Sequence, residues 1–136
     1  MLLPLHPIKT YKYESSEELA GLFDLTADGH MYSRISNPTV AAVEEKIAAL
    51  EGGVGAMITS SGQAASLLSI LNITSAGDNF LAADNLYGGT TNLFSVTLKR
   101  LGIEARFFSQ DMSDDEIEAL IDGNTRLVFT ETLSNP

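Results

Sequence analysis

The sequence predicts an α/β fold with a mostly parallel sheet, and three observations carry that prediction. Short apolar runs of strand length alternate with segments whose apolar residues recur at helical spacing. The alternation repeats at intervals of about 25 residues, the length of a strand, a crossover helix and their turns. Capping residues open several of the helical segments and glycines close them.

Residues 1–36 lack a sustained period and carry Pro4, Pro7, Tyr11, Tyr13, Gly21 and Gly29. They read as an extended arm with one short helix over 16–23, capped by Ser16, with Leu19, Leu22 and Phe23 on one face. Such an arm seldom folds alone and is expected to lie on another surface. From 37 to 136 the pattern is regular. Asn37 caps a helix with Pro38 in its first turn; Val40, Val43, Ile47 and Leu50 form its stripe, and Gly52 and Gly53 stop it. A first strand is expected over 54–58, then a helix with Ala64, Leu67, Leu68 and Leu71 on one face, ending near Gly77. A second strand over 80–83 leads to a helix carrying Leu93, Val96, Leu98 and Leu101. Lys99 and Arg100 in its last turn suit the negative end of the helix dipole. After a third strand over 105–108, Ser113 and Glu116 form a capping box. The helix they open has Ile117, Leu120 and Ile121 inside and closes at Gly123. A fourth strand follows over 126–130.

The chain has 136 residues, which allows one domain at most. With 44% apolar and 19% charged residues it is globular in composition rather than disordered. Eight Lys and Arg against 18 Asp and Glu give a net charge of −10, a field that repels nucleic acid and anionic membranes. The absence of Cys excludes disulfides, thiolate metal sites and thiol nucleophiles. His6 and His30 are isolated, so no metal site is expected. No stretch approaches a membrane span, and Pro4 interrupts an opening too short for a signal peptide. The expectation is a soluble, cytoplasmic protein.

Open α/β sheets bind ligands outside the carboxyl ends of their strands. Here those ends are 59–63, 84–91, 109–111 and 131–136. In Ser60-Ser61-Gly62-Gln63 a glycine admits close approach, and the amides of Gly62 and Gln63 open a helix. That is either an anion site or an N-cap with a turn glycine. Leu86-Tyr87-Gly88-Gly89-Thr90 puts a phenol ring at a strand mouth, either to stack on a flat heterocycle or to pack at a contact. Tyr32 and Arg34, two apart in an extended segment, project from one side, as a phosphate-gripping pair or as a solvated one.

Taken together, Tyr32-Ser33-Arg34-Ile35-Ser36-Asn37-Pro38-Thr39, Leu50-Glu51-Gly52-Gly53, Ser61-Gly62-Gln63-Ala64-Ala65, Leu86-Tyr87-Gly88-Gly89-Thr90 and Leu98-Lys99-Arg100-Leu101-Gly102-Ile103 occur in characteristic order and spacing. As a set they resemble the cystathionine γ-synthase-like, pyridoxal phosphate-dependent enzymes of Cys and Met metabolism, nearest to the O-acetylhomoserine sulfhydrylases. The resemblance implies part of an aspartate aminotransferase-like (fold type I) large domain over 37–136, with the arm of 1–36 contacting a neighbouring subunit. It implies that Ser61 and the amides of Gly62 and Gln63 hold the cofactor phosphate. Tyr87 would stack on the pyridine ring and assist proton transfer, as the catalytic residue of this segment. Tyr32 and Arg34 would reach a neighbour's phosphate site within a dimer of dimers, a homotetramer. Asn135 would lie near the ring and its phenolic oxygen. Methionine γ-lyases of the family usually carry Cys where this chain has Gly89, which favours γ-replacement. The implied reaction displaces acetate from O-acetylhomoserine by sulfide or a thiol, giving homocysteine or methionine.

Family members are close to three times as long, and their Schiff-base lysine lies beyond residue 136. Lys9, Lys12, Lys46 and Lys99 lack its Ser/Thr-rich context after a strand, so none is assigned the role. The chain therefore reads as the amino-terminal portion of such an enzyme, not catalytic by itself. Cut after a fourth short strand, it would also leave an unpaired sheet edge. The alternatives are a cystathionine γ-synthase or methionine γ-lyase of the same family, and a non-catalytic α/β module that binds a phosphate-bearing ligand.

Overall fold

The computed structural model describes residues 5–133. The chain forms two compact units, Met1–Ile58 and Thr59–Pro136.

In the first unit, Thr10 and Tyr32 form an antiparallel bridge, and the Ser33 N–H donates to the Lys9 carbonyl at 2.9 Å. Helix α1 spans Ser16–Phe23. Its cap is Ser15 rather than Ser16: Ser15 has extended dihedrals, and its hydroxyl accepts the Glu18 N–H at 3.1 Å. The expected face is only partly inside, with Leu22 buried and Phe23 63% exposed. Helix α2 spans Pro38–Glu51. As the sequence predicts, the Asn37 side chain accepts the Thr39 and Val40 amides, and Gly52 ends the helix in the left-handed conformation at φ 66°. The expected apolar stripe is present but uncovered, from Val40 at 39% exposed to Leu50 at 72%.

The strand expected over 54–58 does not form. Those residues are exposed, and the Ile58 N–H donates to the Glu44 carboxylate at 2.8 Å rather than to a neighbouring strand. A strand exists through its ladder, and no described strand pairs with this segment. Gly52, Gly53 and Gly55 around Val54 also carry the largest entropy cost of straightening.

The second unit holds the α/β core. Helix α3, Gly62–Leu71, is followed by β1, Asn79–Ala83. A short α4, Gly88–Asn92, runs into a π-helical segment, Leu93–Leu98. The Ser95 hydroxyl donates back to the Thr91 carbonyl at 2.7 Å there, a bond that competes with the ordinary helical ladder. Then come β2, Glu104–Phe108, α5, Asp114–Glu118, and β3, Thr125–Phe129. The capping box of Ser113 and Glu116 is made in both directions.

The three strands are parallel in the order β2-β1-β3. Central β1 is buried at all five positions, whereas β3 alternates, with Leu127 and Phe129 turned to the core and Val128 53% exposed. Ile70, Phe80, Phe94 and Leu98 lie at the centre of the packing. Phe94 makes edge-to-face contacts with Phe80 and Phe129, ring centroids 5.0 Å apart in each pair. Such pairs add about 0.5–1.5 kcal/mol each beyond burial.

At the amino ends of the strands a polar network fixes register. Buried Asn79 donates to the Asp122 carboxylate at 2.8 Å and accepts the Thr125 hydroxyl at 2.7 Å. Arg106 reaches Asp122 at 2.8 Å and Glu104 at 3.0 Å. The Asn79 bond first, then the Asn124 amide and Arg106, lower the Asp122 pKa to about 2.

Candidate ligand hollow at the β1/β3 edge

The order β2-β1-β3 determines where a site can form. The chain leaves β1 for β2 on one side of the sheet and returns as β3 on the other. The carboxyl ends of β1 and β3 therefore adjoin without a direct connection, the kind of crevice in which open α/β sheets take ligands. A hollow of about 400 Å³ opens there, lined by Ser61, Gly62, Gln63, Ser66, Tyr87, Thr90 and Glu131. Its size falls within the ordinary range of small-molecule sites.

One wall is the start of α3. The Ser61 hydroxyl caps the helix by accepting the Ala64 N–H at 3.1 Å, and the Ser61 carbonyl accepts from Ala65 at 3.0 Å. The next two amides, of Gly62 and Gln63, find no acceptor among the described residues, as the geometry of a helix start requires. A Cβ added at Gly62 would meet nothing within 4 Å, so that approach is open. The capping and anion-binding readings of this turn are thus compatible: Ser61 saturates one amide and leaves two. An anion placed there gains about 0.3–1 kcal/mol from the helix dipole, up to ~2 where it is partly buried.

The opposite wall is the Tyr87 turn. Tyr87 precedes α4, is 55% exposed, and its carbonyl accepts the Thr90 and Thr91 amides at 2.8 and 3.1 Å. Its ring lies over Gly89: a Cβ at that glycine would fall 2.5 Å from Tyr87 Cε1. Buried Thr90 receives the Gln63 side-chain amide on its hydroxyl at 3.3 Å, which ties α3 to α4. From the end of β3, the Glu131 carboxylate accepts the Tyr87 N–H at 3.2 Å.

The structure therefore brings Ser61, Gly62, Gln63 and Tyr87 together. Asn135 lies outside the described residues. Tyr32 and Arg34 belong to the first unit. Their segment turns rather than runs extended, because the Ile35 and Ser36 amides both bond the Tyr32 carbonyl, at 2.8 and 2.9 Å. Arg34 folds back so that its Cζ sits 5.2 Å from the Tyr32 ring centroid, in cation–π range. Both line an apolar hollow of about 350 Å³ with Tyr11, Tyr13 and Phe23. No lysine is among the residues that line the hollow beside α3.

Thr90, Ser66 and Glu131 were not singled out by sequence reasoning. Ser66 sits one helical turn inside α3 and Thr90 in the first turn of α4, where hydroxyls carry no distinguishing signal. Glu131 falls in a strand-end segment that points to a ligand, but only strand pairing places it against Tyr87.

Chemically, the hollow offers two amide donors at a dipole's positive end, hydroxyls, and a π-face across from them. That donor set suits a planar ring carrying a phosphate. Comparison with known proteins gives the same direction. Residues 1–136 match the family described as Cys/Met metabolism PLP-dependent enzyme. The chain is 48% identical over 134 residues to O-acetyl-L-homoserine sulfhydrylase 1 of Thermus thermophilus, covering 98% of this chain and 32% of that protein. It is 45% identical to the homocysteine/cysteine synthase of Saccharomyces cerevisiae, covering 98% and 30%. A crystal structure described as an O-acetylhomoserine (thiol)-lyase from Campylobacter jejuni, with N′-pyridoxyl-lysine-5′-monophosphate, superposes with a TM-score of 0.88 at 41% identity. It covers 98% of this chain and 33% of that one. The chain thus spans about a third of the length of the relatives it matches.

Proposed function

Because the chain belongs to the Cys/Met metabolism PLP-dependent enzyme family, we propose that it forms the phosphate-holding part of the cofactor site in a cytoplasmic O-acetylhomoserine sulfhydrylase. The observation that carries this is the convergence of the Gly62 and Gln63 amides, which have no acceptor among the described residues, with the Tyr87 ring on one hollow of about 400 Å³.

In this reading the α3 amides and the Ser61 hydroxyl bind the phosphate, with the charge favoured by the helix dipole. Tyr87 covers the ring, restricts water on that face, and holds its hydroxyl where a proton is exchanged with the substrate. Tyr32 and Arg34 complete a neighbouring subunit's phosphate site in a dimer of dimers, and Asn135 borders the ring. When bound, pyridoxal phosphate supplies the electron sink that makes carbons beside the substrate nitrogen acidic. The net reaction breaks the γ C–O bond of O-acetylhomoserine and forms a C–S bond with sulfide or a thiol, releasing acetate. Gly89 leaves space for Tyr87 and favours this replacement over elimination.

Equilibrium dialysis of the 136-residue chain against pyridoxal phosphate and pyridoxal tests the reading. The phosphate form is expected to bind at least about tenfold more tightly, the yield of two charge-assisted amide bonds. Equal affinities would contradict it.

A further inference from the structure

Locally, the Tyr87 turn is held by its own carbonyl, which accepts the Thr90 and Thr91 amides. A phenol cannot cap a helix, and no side-chain cap bond is present at Tyr87. Helix α4 starts with two glycines, so propensity adds little order at its first turn, although the helix continues into the π-helical segment Leu93–Leu98. Tyr87 is 55% exposed, and its ring rests on Gly89. Against this stands an electrostatic oddity: the Glu131 carboxylate lines a hollow whose amides suit an anion. A carboxylate there opposes anion binding, and one bond from a neutral amide does not cancel its charge, so its place is explained by what it holds. It crosses from the end of β3 to accept the Tyr87 N–H at 3.2 Å. From the other side, Gln63 extends from α3 to the Thr90 hydroxyl at 3.3 Å. Its Nε2 lies 3.1 Å from where a Gly89 Cβ would be.

We propose that Glu131 and Gln63 are positioning residues that clamp the Tyr87 turn from two sides and fix the pitch of the phenol ring over the hollow. The clamp couples both strand ends and the α3 amides to one ring angle. Its consequence for a ring-bearing ligand rests on the cofactor reading above; the clamp itself does not.

The test uses the 136-residue chain and two readouts. In hydrogen exchange followed by NMR, Glu131→Ala is expected to speed exchange of the Tyr87 amide by about tenfold, the loss of one charge-assisted bond. Glu131→Gln, which keeps a carbonyl acceptor, is expected to restore most of the protection. In dialysis, Gln63→Ala is expected to weaken pyridoxal phosphate about five- to tenfold more than it weakens inorganic phosphate, because the side-chain contact is lost while the backbone amide remains. Should Glu131→Ala lose helical circular dichroism, the Glu131→Gln and Gln63→Ala variants carry the test. Unchanged Tyr87 exchange in Glu131→Ala, or parallel loss of both ligands in Gln63→Ala, would overturn the clamp. A wild-type chain that binds no pyridoxal phosphate, yet protects Tyr87 through Glu131, would overturn the cofactor reading and support the clamp.

Discussion

The Tyr87 ring occupies the place a side chain at Gly89 would take, with Cε1 2.5 Å from the missing Cβ. Real Cβ atoms are not found that close to carbon, so a side chain at residue 89 would make the phenol shift from this position.

Gly89→Ala is therefore expected to swing the ring away from its present position. Affinity for pyridoxal phosphate should fall by about tenfold, roughly one aromatic stacking contact, while affinity for inorganic phosphate stays the same. Paired dialysis experiments on the variant check this.

Ser61 separates helix capping from anion binding. Ser61→Ala removes the bond to the Ala64 amide and is expected to cost about 1 kcal/mol of stability. Ser61→Asp keeps a capping oxygen and should hold stability near wild type, but its charge at the same turn should weaken phosphate binding severalfold. Urea unfolding and dialysis together resolve the two effects.

The core centres on Phe94, which is fully buried between Phe80 and Phe129. Phe94→Ala is expected to destabilise the chain by about 3–5 kcal/mol, from lost burial and the cavity left behind. The midpoint of urea unfolding measures it.

The Asn79–Asp122–Arg106 network makes stability depend on acid. The Asp122 pKa is lowered from 3.8 to about 2, chiefly by the Asn79 amide. A lowered pKa means the stabilisation is fully present above pH 4 and is lost as pH falls towards 2. Asp78 and Glu116, also lowered, act in the same sense, Asp78 through Arg126 and Glu116 through Ser113. Asp122→Asn is expected to be less stable at pH 6 and to lose less on acidification, as thermal melts between pH 2 and 6 would report.

Much of this fold is legible locally. Asn37, Ser61 and the Ser113–Glu116 pair announce their helices because capping is a contact between near neighbours. The strands at 79–83, 104–108 and 125–129 declare themselves as apolar runs between turns. The segment 54–58 looks equally apolar but has no ladder, and pairing is not a local property. The π-helical turn at 93–98 carries no sequence signal either, since its residues read as ordinary helix. In the hollow, Tyr87 follows from its place after β1 and Gly62 and Gln63 from the Ser61 cap that opens α3, since the strand expected before them does not form, whereas Glu131 becomes visible only once β3 lies beside β1.

The central claim is that the Gly62 and Gln63 amides hold a phosphate, and their own resonances test it most directly. In ¹H–¹⁵N spectra of the chain, pyridoxal phosphate and inorganic phosphate are both expected to move these two amide protons downfield, and pyridoxal is not. If both resonances stay fixed while pyridoxal phosphate shifts other parts of the chain, the phosphate is bound elsewhere and the account is contradicted.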